Sequence, residues 1–347
     1  ITRTVIHSDR RFTYEEAQEI LESSEGDFSS ELIQINTLAK KLREQRFQKG
    51  AIAFDRVEVR FEIDEKGKPL SVFFKEAKDA NKLIEEFMLL ANKTVAMHIG
   101  KPKTKGAKTP TFVYRIHDMP NPEKLNNFAQ FIRRFGYKLK TSGKNSDIST
   151  SINTLLNEVQ GKKEQNLIEV LAVRSMAKAV YSTDNVGHYG LAFDFYTHFT
   201  SPIRRYPDMM VHRLLTKYAE GHRSVNKDDY EDFCAHSSEM EQLAASAERA
   251  SIKYKQVEFM SDKIGQVFDG IIVSLTEWGI YVELSENKCE GMISVRDLGN
   301  DFFEYDEKNY CIVGKRSGKK YQLGDDVTVR IARTNLAKKQ LDLELVD

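Results

Sequence analysis

Cysteine is scarce: Cys234, Cys289 and Cys311 are the three in 347 residues, and no two have C-x-x-C spacing. That argues against a disulfide framework and against a thiolate zinc site, and it fits a reducing cytoplasm. No run of 18 apolar residues occurs, so no membrane-spanning helix is expected. No charged-then-apolar secretory stretch precedes the first expected helix. A net charge of one sign is missing as well, because 52 Lys and Arg balance 52 Asp and Glu. Global basicity therefore advertises no polyanion, and any nucleic-acid site has to be local. The basic loops at 101–108 and 315–320 could serve, and each could equally be a solvated loop.

What is present is an ordinary globular composition, 30% charged and 40% hydrophobic, in a chain long enough for two or three domains. The expected fold class is α+β. Thr13 is a plausible N-cap for a helix carrying Glu15 and Glu16 in its first turn, and Ser29 or Ser30 caps a second helix to about Gln45. Alternation from Ile52 to Ile63, a turn at Glu65–Gly67 and a return through Leu70–Phe74 predict a hairpin. Helices are expected over 78–98, from Asn121-Pro122, and over 148–159, 164–180, 202–220 and 227–261, with a short strand at 112–116. From Gly265 the period changes. Five short strands, 267–274, 278–284, 290–295, 326–332 and 341–345, suit a small closed barrel of the OB type. The domains are therefore read as 1–261 and 262–347, the second as a separately folded module.

Chemistry concentrates between Tyr196 and Arg213. Ser201 reads as an N-cap and Pro202 as the first helical residue, so free N–H groups and the dipole would meet an anion there. Arg204 and Arg205 add fixed charge in a fork geometry, Asp208 lies one turn on, and His212 one turn further. The plain alternative is a capped helix with surface ion pairs. A second constellation is Glu85 and Asn92, seven residues apart on one helical face, which would need buried partners such as Arg204 or Arg213. An exposed Glu85-Glu86 pair is the plain alternative. Glu248-Arg249, and Arg115 with His117, are polar points at element ends. Tyr14 and Phe54 suit either core packing or base stacking. In the barrel, Phe268, Trp278 and Tyr281, with Arg296, Arg330 and Arg333 nearby, read as a stacking platform for a single strand rather than as core.

The motif His188-Tyr-Gly-Leu191, then Tyr196 to Asp208 and His212-Arg213, closely resembles the signature of the ribonuclease II superfamily. Leu83 to Asn92, Tyr114 to Pro120 and Arg174 to Met176 resemble that family's catalytic domain in the same order, and the tail from Gly265 resembles its S-one-type RNA-binding barrel. The insert at 301–321 is most like the bacterial ribonuclease R branch. The resemblance implies a processive exoribonuclease that degrades single-stranded RNA from its 3′ end to 5′-mononucleotides, as a monomer. It also implies Mg²⁺ held by acidic residues and activating water for in-line attack. On the matching positions it implies that Arg204 stabilises the phosphate, Glu85 lies near the terminal nucleotide, and Phe54 stacks on bases. Tyr14 (catalytic) and Glu248 (RNA-binding) match more loosely, and Arg205 is expected to touch RNA. Ser201, Pro202, Asp208, His212 and Asn92 are expected to support the site.

Two departures matter. The family's aspartate cluster is missing, and neither Asp228–Asp232 nor Gly324–Asp326 replaces it. The chain also opens on Ile1 in a strand-like stretch. The expectation is the C-terminal part of a ribonuclease R-like enzyme, inactive alone. The rival is a non-catalytic RNA-binding module. An acidic cluster encoded upstream would favour the enzyme. Ser294 stands where the barrel usually has His, which bears on its affinity.

Overall fold

The computed structural model describes residues 4–52, 58–102, 104, 106–143, 145–162, 164–307 and 310–346. The chain begins with a helical layer. Helix α1 (Tyr14–Ser23) starts where Thr13 and Glu16 form a reciprocal capping box, which satisfies two otherwise orphaned amides. Helix α2 (Ser29–Gln48) starts differently from the expectation: its N-cap is Phe28 in the left-handed region, with no side-chain cap. Strands β1 (Glu58–Ile63) and β2 (Pro69–Lys75) form the expected hairpin. It lies on the last long helix through the Phe61–Phe259 ring contact at 6.1 Å.

Helix α3 (Asp79–Gly100) buries Leu83, Leu89, Val95 and Ala96 at helical spacing. Strand β3 (Tyr114–Ile116) precedes α4 (Pro122–Ile132), whose Asn121 side chain accepts from Lys124 N–H. Helices α5 (Asn145–Val159) and α6 (Gln165–Ser175) follow. The expected helix over 164–180 stops at Ser175, and Val180–Ser182 is instead strand β4, antiparallel to β3. Helix α7 (Tyr206–Ala219) and the 35-residue α8 (Lys227–Ser261) complete this part.

The rest is a barrel. Strands β5 (Val267–Thr276), β6 (Gly279–Leu284), β7 (Glu290–Ser294), β11 (Asp326–Asn335) and β12 (Gln340–Leu345) close in the order β11-β12-β7-β6-β5. Between β7 and β11 a separate three-stranded sheet is inserted, made of β8 (Phe303–Asp306), β9 (Cys311–Gly314) and β10 (Lys320–Gln322). At Gly279 a Cβ would stand 2.1 Å from the Ile293 carbonyl oxygen, so β6 meets β7 only with glycine there.

The barrel packs against the helical part. One continuous core joins Phe131 and Ile132 of α4, Leu155 of α5, Ile168 of α6 and Met260 of α8 to Ile272, Ile312 and Val329 of the barrel and its insert. The Phe131 and Tyr310 rings meet edge-on at 5.1 Å. Two side chains of α8 also bond to the barrel backbone, Lys253 to the Glu290 carbonyl and Gln256 to the Lys288 carbonyl. A second core, between α3, α7 and β3–β4, is built from Val95, Phe112, Tyr181, Val211 and Leu214. Among the described residues, no helix is long and apolar enough to cross a membrane.

Candidate nucleic-acid interface

The segment from Tyr196 to Arg205 runs between β3, α3 and α7 and is pinned by all three. Arg115 N–H donates to the Tyr196 carbonyl (3.0 Å), and the Thr197 hydroxyl donates to the Val113 carbonyl (2.7 Å). Asn92, buried on α3, holds the first part of the stretch at two points: its amide nitrogen donates to Tyr196 Oη (3.2 Å) and its oxygen accepts from Phe199 N–H (2.9 Å). His212 stacks on Phe199 at 4.1 Å and 13°, and its Nε2–H donates to the Phe199 carbonyl (2.9 Å).

The helix does not start where Ser201-Pro202 suggested. Residues 202–204 form a turn, with Arg204 and Arg205 N–H donating to the Ser201 carbonyl, and α7 begins at Tyr206 with Pro207 in its first turn. Asp208 decides this. Its carboxylate is fully buried and accepts from Ser201 N–H (2.8 Å) and from Arg205 Nε and Nη2 (2.8 Å each). A buried carboxylate needs such partners, and meeting them folds the chain back over the helix N-terminus. Arg205, expected to touch RNA, is thus committed to Asp208. Ile203 and Arg204 stand out at the apex, Ile203 wholly exposed.

An aromatic ladder backs the segment. His117 and His188 meet edge-on at 5.0 Å, His188 and Tyr196 at 5.2 Å, and Tyr196 and His198 at 5.6 Å. Arg115 lies 4.6 Å from the Tyr181 ring centroid and pairs with Glu241 (2.6 Å). Gly190 N–H donates to His117 Nδ1, so Nε2 carries the proton and donates to the Ala177 carbonyl. Burial lowers the basicity of all three histidines. His117 moves below its ordinary value, His188 to about 3, with His117 and Arg115 adding to the effect, and His198 to about 2, with Arg205 and Arg115 adding.

These shifts predict acid lability. The folded-state values lie below the unfolded value near 6.5, so the unfolded chain takes up protons that the folded chain refuses. Stability is intact above about pH 6.5 and falls below it, by up to roughly 1.4 kcal/mol per pH unit for each of His188 and His198. Chemical denaturation between about pH 7.5 and 5.5 checks this. His198→Gln is expected to flatten the dependence, and an unchanged slope would count against the ladder as its source.

The remaining candidates are dispersed. Glu85 and Asn92 do not share a buried face: Glu85 is half-exposed and its partner is Arg46 at 3.7 Å, neither Arg204 nor Arg213. The buried carboxylate is the neighbouring Glu86, bonded to Arg46 at 2.5 Å. Arg46 was missed by sequence reasoning. Glu86, however, sits on the apolar row Leu83–Glu86–Leu89–Asn92, a signal that was there to be used. Tyr14 is exposed at the start of α1, and Glu248 is exposed on α8. Phe54 lies outside the described residues.

In the barrel, Trp278 is 68% exposed and Tyr281 points outward between the buried Ile280 and Val282. Phe268 corrects the platform expectation: it lies on the side of β5 that buries Gly270 and Ile272, and it packs against the core. Arg333 pairs with Asp342 (2.7 Å). A cavity of about 480 Å³ is lined by His117 and His188 of the ladder with Lys49, Asp118, Ser149 and Asp194 among others, and Arg204 is not in its lining. Among the described residues, no three His, Cys, Asp or Glu side chains converge as a metal site. The described residues therefore offer no donor set for the Mg²⁺, which the resemblance assigns to the family's aspartate cluster and not to this chain's residues.

Comparison with known proteins agrees with this architecture. The RNB domain family matches residues 1–221. The chain belongs to the RNB-domain family. The S1 RNA binding domain family matches residues 261–345, which is the barrel with its insert. Ribonuclease R of Aquifex aeolicus is 36% identical over 100% of this chain and 49% of its own length. Ribonuclease R 1 of Lactococcus lactis is 33% identical over 99% of this chain and 42% of its own. The solved Mycoplasma genitalium RNase R in complex with ribose-methylated single-stranded RNA superposes with a TM-score of 0.87 at 26% identity, over 97% of this chain and 53% of that one. The RNB chain described here thus spans about half the length of the curated relatives it matches.

Proposed function

We propose that this RNB chain grips single-stranded RNA for a 3′-to-5′ exoribonuclease, with Arg204 holding the phosphate that is cleaved. The observation that carries the reading is the division of labour between the two arginines. Asp208 saturates Arg205 and fixes the turn, which leaves Arg204 exposed at its apex with an unspent planar fork. A guanidinium held on a pinned backbone, backed by neutral histidines, suits charge that develops on phosphoryl oxygens in the transition state. Trp278 and Tyr281 on the barrel capture the strand by stacking.

The relatives are about twice as long as this chain, which matches only 49% and 42% of them, so their activity is proposed for a protein that joins this chain to an acidic cluster. Mg²⁺ dependence belongs to the same proposal. The processive, 3′-end-directed release of 5′-mononucleotides, the action as a monomer in the cytoplasm, and the roles of Glu85, Tyr14, Phe54 and Glu248 also rest on family resemblance. The test is titration of the chain with a 5′-labelled single strand, with Mg²⁺ and with chelator. Saturable, salt-sensitive binding that leaves the strand intact under both conditions is expected. Absence of binding would overturn the reading, and binding with no activity when an acidic cluster is joined would favour the non-catalytic module.

A further inference from the structure

The sheet inserted between β7 and β11 carries a basic tip whose shape is set by one carboxylate. Asp301 accepts from Phe302 N–H (2.7 Å), Arg316 N–H (3.1 Å), Ser317 N–H (2.8 Å) and the Ser317 hydroxyl (2.6 Å). These bonds hold its carboxyl down at about 2. Gly314 makes room for it, since a Cβ there would lie 2.4 Å from Asp301 Oδ2. The tip therefore keeps its form without a partner, displaying Phe302, Lys315 and Arg316 together. Phe302 is 66% exposed, and the Lys315 ammonium sits 5.0 Å from its ring centroid while pairing with Glu304. Among the described residues, Arg316 has no ion-pair partner.

An exposed phenyl ring beside two cations on a fixed turn adds nothing to the core. It is what a stacked base with flanking phosphates requires. The tip is also continuous with the barrel's aromatic face. Val295 N–H donates to the Trp278 carbonyl (2.9 Å), and Tyr321 Oη donates to the Leu298 carbonyl (3.1 Å). The segment 295–298 thus links the Trp278 turn to the base of the insert.

We propose that Phe302, Lys315 and Arg316 form a second contact for single-stranded RNA, reached by a strand already held at Trp278 and Tyr281. This rests on the RNA reading above. The test compares the chain's binding of two single-stranded oligomers, one of about 6 nucleotides, within one barrel's site size, and one of about 16. Phe302→Ala is expected to weaken the longer oligomer roughly fivefold or more and leave the shorter one unchanged. Combined Lys315→Ala and Arg316→Ala should lower the salt slope for the longer oligomer by about 1–2, and Trp278→Ala should weaken both oligomers. Tip variants that bind the longer oligomer as the parent does would overturn the second contact while leaving the RNA reading intact. A parent chain that binds neither oligomer would overturn both.

Discussion

Asp208→Ala should destabilise the fold by about 3 kcal/mol, in the range measured when one partner of a buried pair is removed. The carboxylate is fully buried and satisfies three donors at once, the Ser201 amide and two nitrogens of Arg205. Without it, the part-buried Arg205 guanidinium loses its counter-charge, and the 201–205 turn loses its anchor to α7. Asp208→Asn keeps the volume and one acceptor and should cost less. In a double-mutant cycle with Arg205→Ala, the coupling should fall at about 1–3 kcal/mol. Chemical denaturation reads all of these, and a stability unchanged in Asp208→Ala would mean that Arg205 and the turn are held by something else.

Arg204→Ala should have the opposite profile: little effect on folding, and a loss of about 10²–10³ in turnover once the chain is joined to an acidic cluster. Its side chain stands exposed on the turn, so the fold does not depend on it. Ground-state affinity should fall only by the share of one phosphate contact, a change of about 1 in the salt slope. Arg204→Lys keeps the charge and discards the planar fork. Partial recovery by lysine would assign the effect to charge, and none would assign it to bidentate geometry.

Local signals carried much of this fold. The Thr13 cap, the Asn121-Pro122 start of α4, the limits of α8 and the five barrel strands are visible in the sequence because each depends on neighbours within a turn or on a simple period. Failures came where distant groups decide. Ser201-Pro202 and Tyr206-Pro207 are both plausible helix starts, and the buried Asp208 selects the second. Glu85 and Glu86 are adjacent, and Arg46, forty residues away, selects Glu86. Strand β4 has three residues, too few for a period, and exists through pairing with β3. The packing of the barrel against the helices was equally illegible: alternation in 267–345 shows which faces are apolar, not what α4 and α6 do with them. Truncation near residue 262 would strip cover from Phe131 and Ile168, so point variants are the cleaner probes.

The most direct test of the phosphate-gripping turn is single-turnover degradation of a 5′-labelled single-stranded RNA in Mg²⁺. It compares wild type with Arg204→Ala, both joined to the acidic cluster, with Kd measured alongside. The account predicts progressive shortening from the 3′ end, slowed by about 10²–10³ in the variant with Kd changed only a few-fold. Equal losses in rate and affinity, or an unchanged rate, would contradict it.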